Sequence, residues 1–138
     1  MSTSAIVITL FLFASALWFA RNGAPLPKPF KARSCQGTGW RHAFPAASKQ
    51  DIRQFLSVFV EAFAFHESQR LKFNPNDSIL SIYRALYPHK WLPDALELET
   101  LAMSVEKKYG VRFAEVWKES LTLGALFAAV QRKEHSHQ

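Results

Sequence analysis

The chain has 138 residues, 49% of them apolar, and a formal net charge of +6. That length suits one domain plus an appendage, and that composition excludes a disordered chain. The charge is lopsided: residues 1–50 hold Arg21, Lys28, Lys31, Arg33, Arg41 and Lys49 and no acid, whereas residues 51–138 hold the other 11 Lys and Arg against all 11 Asp and Glu. The basic excess therefore belongs to the N-terminal portion. The remainder lacks the basic footprint of a nucleic-acid binder, so no nucleic acid is expected as a partner. Cys35 is the one cysteine; it permits no intramolecular disulfide, which fits a reducing compartment.

Met1 to Ala20 carries no charged side chain. As a helix it spans roughly 30 Å, the thickness of a bilayer's hydrocarbon core. Trp18 suits the headgroup level, and Arg21 follows at once. Ala14-Ser15-Ala16 looks like a signal-peptide cleavage site, but no Lys or Arg precedes the apolar stretch, and an uncleaved anchor is the better reading. The cations Arg21, Lys28, Lys31 and Arg33 all lie on its C-terminal side. The positive-inside rule then gives a single-pass protein of the inner (plasma) membrane with its C-terminal domain in the cytoplasm. The bilayer is accordingly the first expected partner, and those cations would gain from anionic headgroups.

Pro25, Pro27 and Pro29 disfavour helix, and Ser34 to Ala47 has two Gly, one Pro and no apolar period. Residues 21–47 read as a basic linker, extended and then looped, with Trp40 and Phe44 packing against the adjoining domain. Ser48 is an N-cap candidate with Asp51 three residues on. Ile52, Phe55, Leu56, Phe59 and Phe63 then fall at helical spacing. Asn74-Pro75-Asn76-Asp77 is a turn, and Asp77 or Ser78 caps a helix from Ile79 to Tyr87, ended by Pro88. Pro93-Asp94 opens another, with Leu98, Leu101, Ala102, Val105 and Tyr109 inward and Gly110 stopping it. A short piece follows around Phe113 to Trp117. Thr122 caps a last helix with Leu123, Leu126, Phe127 and Val130 inward and Arg132 and Lys133 at its dipole-negative end. The fold class is all-α: a small four-helix bundle over 48–132, a tail over 133–138, and one transmembrane helix over 1–20.

Four short segments resemble acyl carrier protein, in its order. Asp77-Ser78-Ile79-Leu80 is similar to the loop before that family's second helix, and Asp94-Ala95-Leu96 to the Asp-Ser-Leu triplet that carries phosphopantetheine. Glu106-Lys107-Lys108-Tyr109-Gly110-Val111 resembles a helix end, and Leu121-Thr122-Leu123-Gly124-Ala125-Leu126 the start of the fourth helix. The resemblance spans roughly Ser48 to Gln131. It implies the carrier fold without the carrier chemistry, because Ala95 has no oxygen on which a phosphodiester could form. No cofactor is then expected. Carrier proteins meet basic enzyme surfaces with an acidic second helix; here Glu97 and Glu99 remain, but Lys107 and Lys108 follow, and these four make the expected interaction surface. Ser78, in the one literal Asp-Ser-aliphatic triplet, is an N-cap candidate rather than an attachment site.

No catalytic constellation emerges. Cys35 and His42 lie in a glycine-containing stretch that offers little to fix a nucleophile and its base. His66, His89, His135 and His137 lack ligand spacing apart from the tail pair, so no metal is expected. Glu97 and Glu99, two apart on a helix, do not face each other. The resulting expectation is a membrane-tethered, non-catalytic, carrier-like module that works through a protein partner, scaffolding or regulating an acyl- or lipid-related synthesis complex. The alternative is a small membrane-anchored immunity or regulatory protein that inhibits a toxin or enzyme.

Overall fold

The computed structural model describes residues 3–22, 26–87 and 95–136, apart from the side chains of 19–22. Its helices are α1 (Thr3–Asn22), α2 (Lys28–Lys31), α3 (Gly37–Ala43), α4 (Lys49–Ala62), a 3-10 helix (Glu67–Lys72), α5 (Ile79–Leu86), α6 (Leu96–Tyr109), α7 (Phe113–Val116) and α8 (Leu123–Ser136). Among the described residues there is no strand, and the chain is all-α.

The caps fall where the side chains can make them. Ser48 Oγ accepts from the Asp51 amide at 3.0 Å, and Ser78 from the Ser81 amide at 3.3 Å. Thr122 Oγ1 accepts from the Ala125 amide at 3.0 Å. Each satisfies one of the orphan donors that any helix start leaves behind. Gly110, at φ 70°, ends α6 in the left-handed conformation that glycine adopts without steric cost. From α4, Ile52, Phe55, Leu56 and Phe59 are buried, with Phe63 just beyond it; from α8, Leu123, Leu126, Phe127 and Val130. Leu101 and Val105 of α6 are buried too, while Leu98, Ala102 and Tyr109 pack partly buried against that core.

The start of α5 and the start of α8 are pinned together. Ser78 and Thr122 form an isolated antiparallel bridge, closed by the Ile79 amide to the Leu121 carbonyl and the Leu123 amide to the Asp77 carbonyl, each 3.0 Å. The Gly124 amide donates to the Pro75 carbonyl at 2.8 Å. A Cβ on Gly124 would meet that same oxygen at 2.8 Å, so the glycine is required by the close approach of the 74–77 turn.

Where 21–47 is expected to be a linker, the described residues from Leu26 onward are packed instead. Leu26, Phe30 and Trp40 are buried in the same core as α4 and α8. Trp40 is 1% exposed; its ring lies 6.2 Å from that of Phe55 and 5.8 Å from that of Phe127, and its Nε1 donates to the Phe73 carbonyl at 2.8 Å. Arg33 makes two bonds to Asp77, at 2.6 and 2.9 Å, and the Gln36 amide donates to the Leu71 carbonyl at 2.7 Å. The packed body therefore begins at Leu26 rather than at Ser48. The tail boundary moves as well, because α8 runs on through Ser136: Gln131, Arg132, Lys133 and Glu134 are all good helix formers.

α1 stands apart. Its apolar side chains are exposed, from Ile6 at 47% to Phe11 at 72%. They occur at 6, 7, 8, 10, 11, 12, 13, 17 and 18, so they cover the whole circumference and leave no polar face. Thr9 and Ser15 turn their hydroxyls back onto the Ala5 and Phe11 carbonyls, both at 2.8 Å. Among the described residues no helix is long and apolar enough to cross a membrane.

Candidate interaction surface

Ala95 is the N-cap residue of α6 and supplies no side-chain cap. Asp94 of the attachment-like triplet, with Pro88, His89 and Pro93, lies outside the described residues, as does His137. Leu96, next in line, is 57% exposed. The first turn carries Glu97 and Glu99 and the last carries Lys107 and Lys108, the arrangement that the helix dipole favours.

Those four residues do not form one patch. Eight residues from Glu99 to Lys107 put about 12 Å of helix between the acidic and basic ends. Glu97 is half-buried and accepts a hydrogen bond from the Tyr87 hydroxyl, tying the end of α5 to the start of α6. That bond occupies it locally. Lys108 lies over the Tyr109 ring at 5.8 Å and lines a polar cleft with Lys49, Arg53, Arg70 and Glu67, on the α4 side. Of the expected surface, Glu99 remains beside the feature that dominates this end of the molecule.

That feature is an apolar groove between α6 and α7. Leu98, Ala102, Phe113 and Trp117 form most of its walls, with Glu99 and Glu106 at its edges, and it encloses about 360 Å³. The Phe113 and Trp117 rings stack at 5.5 Å. Glu106 Oε1 accepts from the Phe113 amide at 3.2 Å and so fixes α7 against α6. Met103, 71% exposed, lies on the outside of α6 beside Thr100, Ser104, Glu106 and Lys107. Sequence reading placed a short element at 113–117 but missed the groove. Its signal was available: Leu98 and Ala102 one turn apart on α6, and Phe113 and Trp117 one turn apart across Gly110.

Elsewhere the candidate residues stay separate. Cys35 is exposed in a cleft with Arg41, Lys49 and Arg53, and His42 does not line it. His66 caps the 3-10 helix, its Nδ1 accepting from the Ser68 amide at 3.1 Å. Among the described residues no group of three or more His, Cys, Asp and Glu could hold a metal ion. The ionisations of Arg33 and Tyr109 are displaced. Asp77 holds the Arg33 guanidinium above its ordinary range through their hydrogen bonds. Burial, then the charges of Glu134 and Asp51, pushes the Tyr109 phenol from 10.0 up to about 12.

Compared with known proteins, the chain matches no family model, no curated protein and no solved structure.

Proposed function

We propose that the protein is a membrane-tethered, non-catalytic, carrier-protein-like module of the inner membrane that acts by binding another protein through the start of α6. The single observation that carries this is the exposed apolar surface at that helix. A groove is walled by Leu98, Phe113 and Trp117, and the same helix exposes Leu96 and Met103, beside an Ala95 that cannot carry a prosthetic group. In a carrier protein the same helix start meets partner enzymes; here the meeting would be the whole activity. A partner in acyl or lipid synthesis follows from the resemblance alone.

The tether is α1. An apolar helix without a polar face belongs in a packed core or in lipid rather than on a membrane surface, and this one has exposed apolar side chains from Ile6 to Trp18. Back-bonded hydroxyls at Thr9 and Ser15 leave little unsatisfied polarity to solvate. The basic residues that follow favour a cytoplasmic domain.

Incubation with coenzyme A and a promiscuous phosphopantetheinyl transferase tests the chemistry. The natural chain should keep its intact mass, and Ala95→Ser should gain the arm. Ser78 is unsuited to accept it, since its Oγ caps α5 and its backbone sits in the bridge to Thr122. A mass gain on the natural chain that vanishes in Ser78→Ala would overturn the alignment. A photo-crosslinker at Met103, in membranes of the native host, should give one specific protein adduct that the same group at exposed Glu115 does not. Equal adducts from both positions would remove the surface.

A further inference from the structure

Three residues separate Asn22, the end of α1, from Leu26, which is only 8% exposed. Four residue steps reach at most about 14 Å. A free linker over 21–47 would instead give an average span of roughly 30 Å. A domain of this size has a radius of gyration near 13 Å, so a tether of at most about 14 Å is shorter than the domain is wide and keeps it close to whatever holds α1. Which surface it turns to that support is decided where the chain enters.

At that entry Leu26 and Phe30 point inward and leave Lys28, Pro29 and Lys31 outside. Arg33 is engaged by Asp77, the acid that would otherwise offset this edge. Cys35, within about 14 Å of Lys31 along the chain, opens a cleft of about 100 Å³ lined by Arg41, Lys49 and Arg53 and by no acidic side chain. Cations thus outnumber acids next to the tether: Asp77 is neutralised by Arg33, and Glu67, which shares a neighbouring cleft with Lys49 and Arg53, is paired with Arg70.

We infer that this edge is a docking surface for anionic lipid headgroups. Lys28 and Lys31, extended by the cations of the Cys35 cleft, seat the domain flat on the bilayer. The inference rests on the tether proposed for α1. Seating fixes the orientation of the domain, so that the α6–α7 groove meets its partner at a constant height and angle above the membrane. Cations near an anionic bilayer are attracted over about one Debye length, roughly 8–10 Å, and a reach of at most about 14 Å holds the point of entry close to that range.

The test uses the full chain in vesicles, with Ala32→Cys in a Cys35→Ser background as the site of a fluorophore and a quencher carried on the lipid headgroup. In phosphatidylcholine mixed with phosphatidylglycerol the label should be strongly quenched. Quenching should fall about twofold or more with Lys28→Glu plus Lys31→Glu, with phosphatidylcholine alone, or at about 1 M salt, where the Debye length shrinks to about 3 Å. The protein itself should stay on the vesicles under all these conditions. If circular dichroism shows the double Glu chain unfolded, Lys28→Gln plus Lys31→Gln makes the same comparison. Retention without quenching overturns the seating, and quenching indifferent to lipid charge overturns the anionic surface. Loss of the natural protein in a carbonate wash overturns the tether itself.

Discussion

α4 and the segment from Leu26 to Ala43 are held in the same core by opposite means. α4 runs 14 residues with a local cap at Ser48 and buries Ile52, Phe55, Leu56, Phe59, Val60 and Ala62 along one face. α2 and α3 have four and seven residues, too short to persist alone, and they bury one side chain each. Their places come from long-range partners: Arg33 on Asp77, the Gln36 amide on the Leu71 carbonyl, Asn74 on the Gln36 side chain, and Trp40 on the Phe73 carbonyl. Dependence nevertheless runs both ways. Trp40 packs edge-on against both Phe55 and Phe127, and Phe30 lies tilted against Phe73, whose ring also meets Phe59 at 5.0 Å. A segment without helix-forming strength of its own completes the core of the segments that have it.

The largest test of that mutual dependence is truncation. Burying Leu26, Phe30 and Trp40 is worth about 5–9 kcal/mol together, against a total of about 5–15 kcal/mol for a domain. A chain beginning at Leu26 should fold cooperatively, and a chain beginning at Ser48 should not. A sharp thermal transition in the shorter chain would falsify the shared core. Next in size, Trp40→Ala should cost about 3–5 kcal/mol by urea unfolding, the same range as Phe59→Ala in the middle of α4. A loss below about 1 kcal/mol for Trp40→Ala alone would make the N-terminal segment an ornament on a complete bundle.

A smaller effect separates the polar means from the apolar ones. Asp77 accepts both Arg33 bonds and the Asn74 amide at 2.7 Å, with its side chain 11% exposed. Asp77→Ala should destabilise by about 1–3 kcal/mol, because it strands a guanidinium and a backbone donor. Hydrogen exchange should show the Gln36 amide losing protection before those of α4. Simultaneous loss in both would mean that the two regions open as one unit.

What the amino-acid order made legible follows the same division. α4, α5, α7 and α8 lie within a few residues of where periodicity and caps place them, because their determinants are local. Ser48, Ser78 and Thr122 each cap the helix they precede, and the stripe from Ile52 to Phe63 is buried whole. The packing of Trp40 onto its own domain was legible too, since a large ring beside an apolar body seldom stays in water. The helical form of 37–43 was not, because Gly37 and Gly39 disfavour helix and the bonds that hold it join residues 33 to 44 positions apart. Gly124 reads as an ordinary glycine until the 74–77 turn is seen against it. At the candidate surface, Ala95 and Glu99 were found from the helix start, whereas the groove needed α7 folded back on α6 by a bond from the Phe113 amide to Glu106.

The smallest contrast between the two regions is in their response to alkali. The Arg33–Asp77 pair joins the N-terminal segment to the 74–77 turn, and Asp77 raises the Arg33 pKa further, so the guanidinium keeps its charge throughout the alkaline range. Tyr109 lies at the end of α6, where burial and then the negative charges of Glu134 and Asp51 raise its phenol from 10.0 to about 12. The folded chain therefore binds this proton more tightly than the unfolded chain does. Its contribution to stability is fully present below about pH 10 and is lost as pH rises to about 12, since stability falls with pH wherever the folded state holds the extra proton. Tyr109→Phe has no proton to lose and should unfold at a denaturant midpoint that falls less steeply across that window. The phenol is half exposed, so solvent screens the effect and the difference in midpoint should be small but confined to alkaline pH. Equal slopes for Tyr109→Phe and the natural chain would mean that α4 and α8, which carry Asp51 and Glu134, do not close over the end of α6.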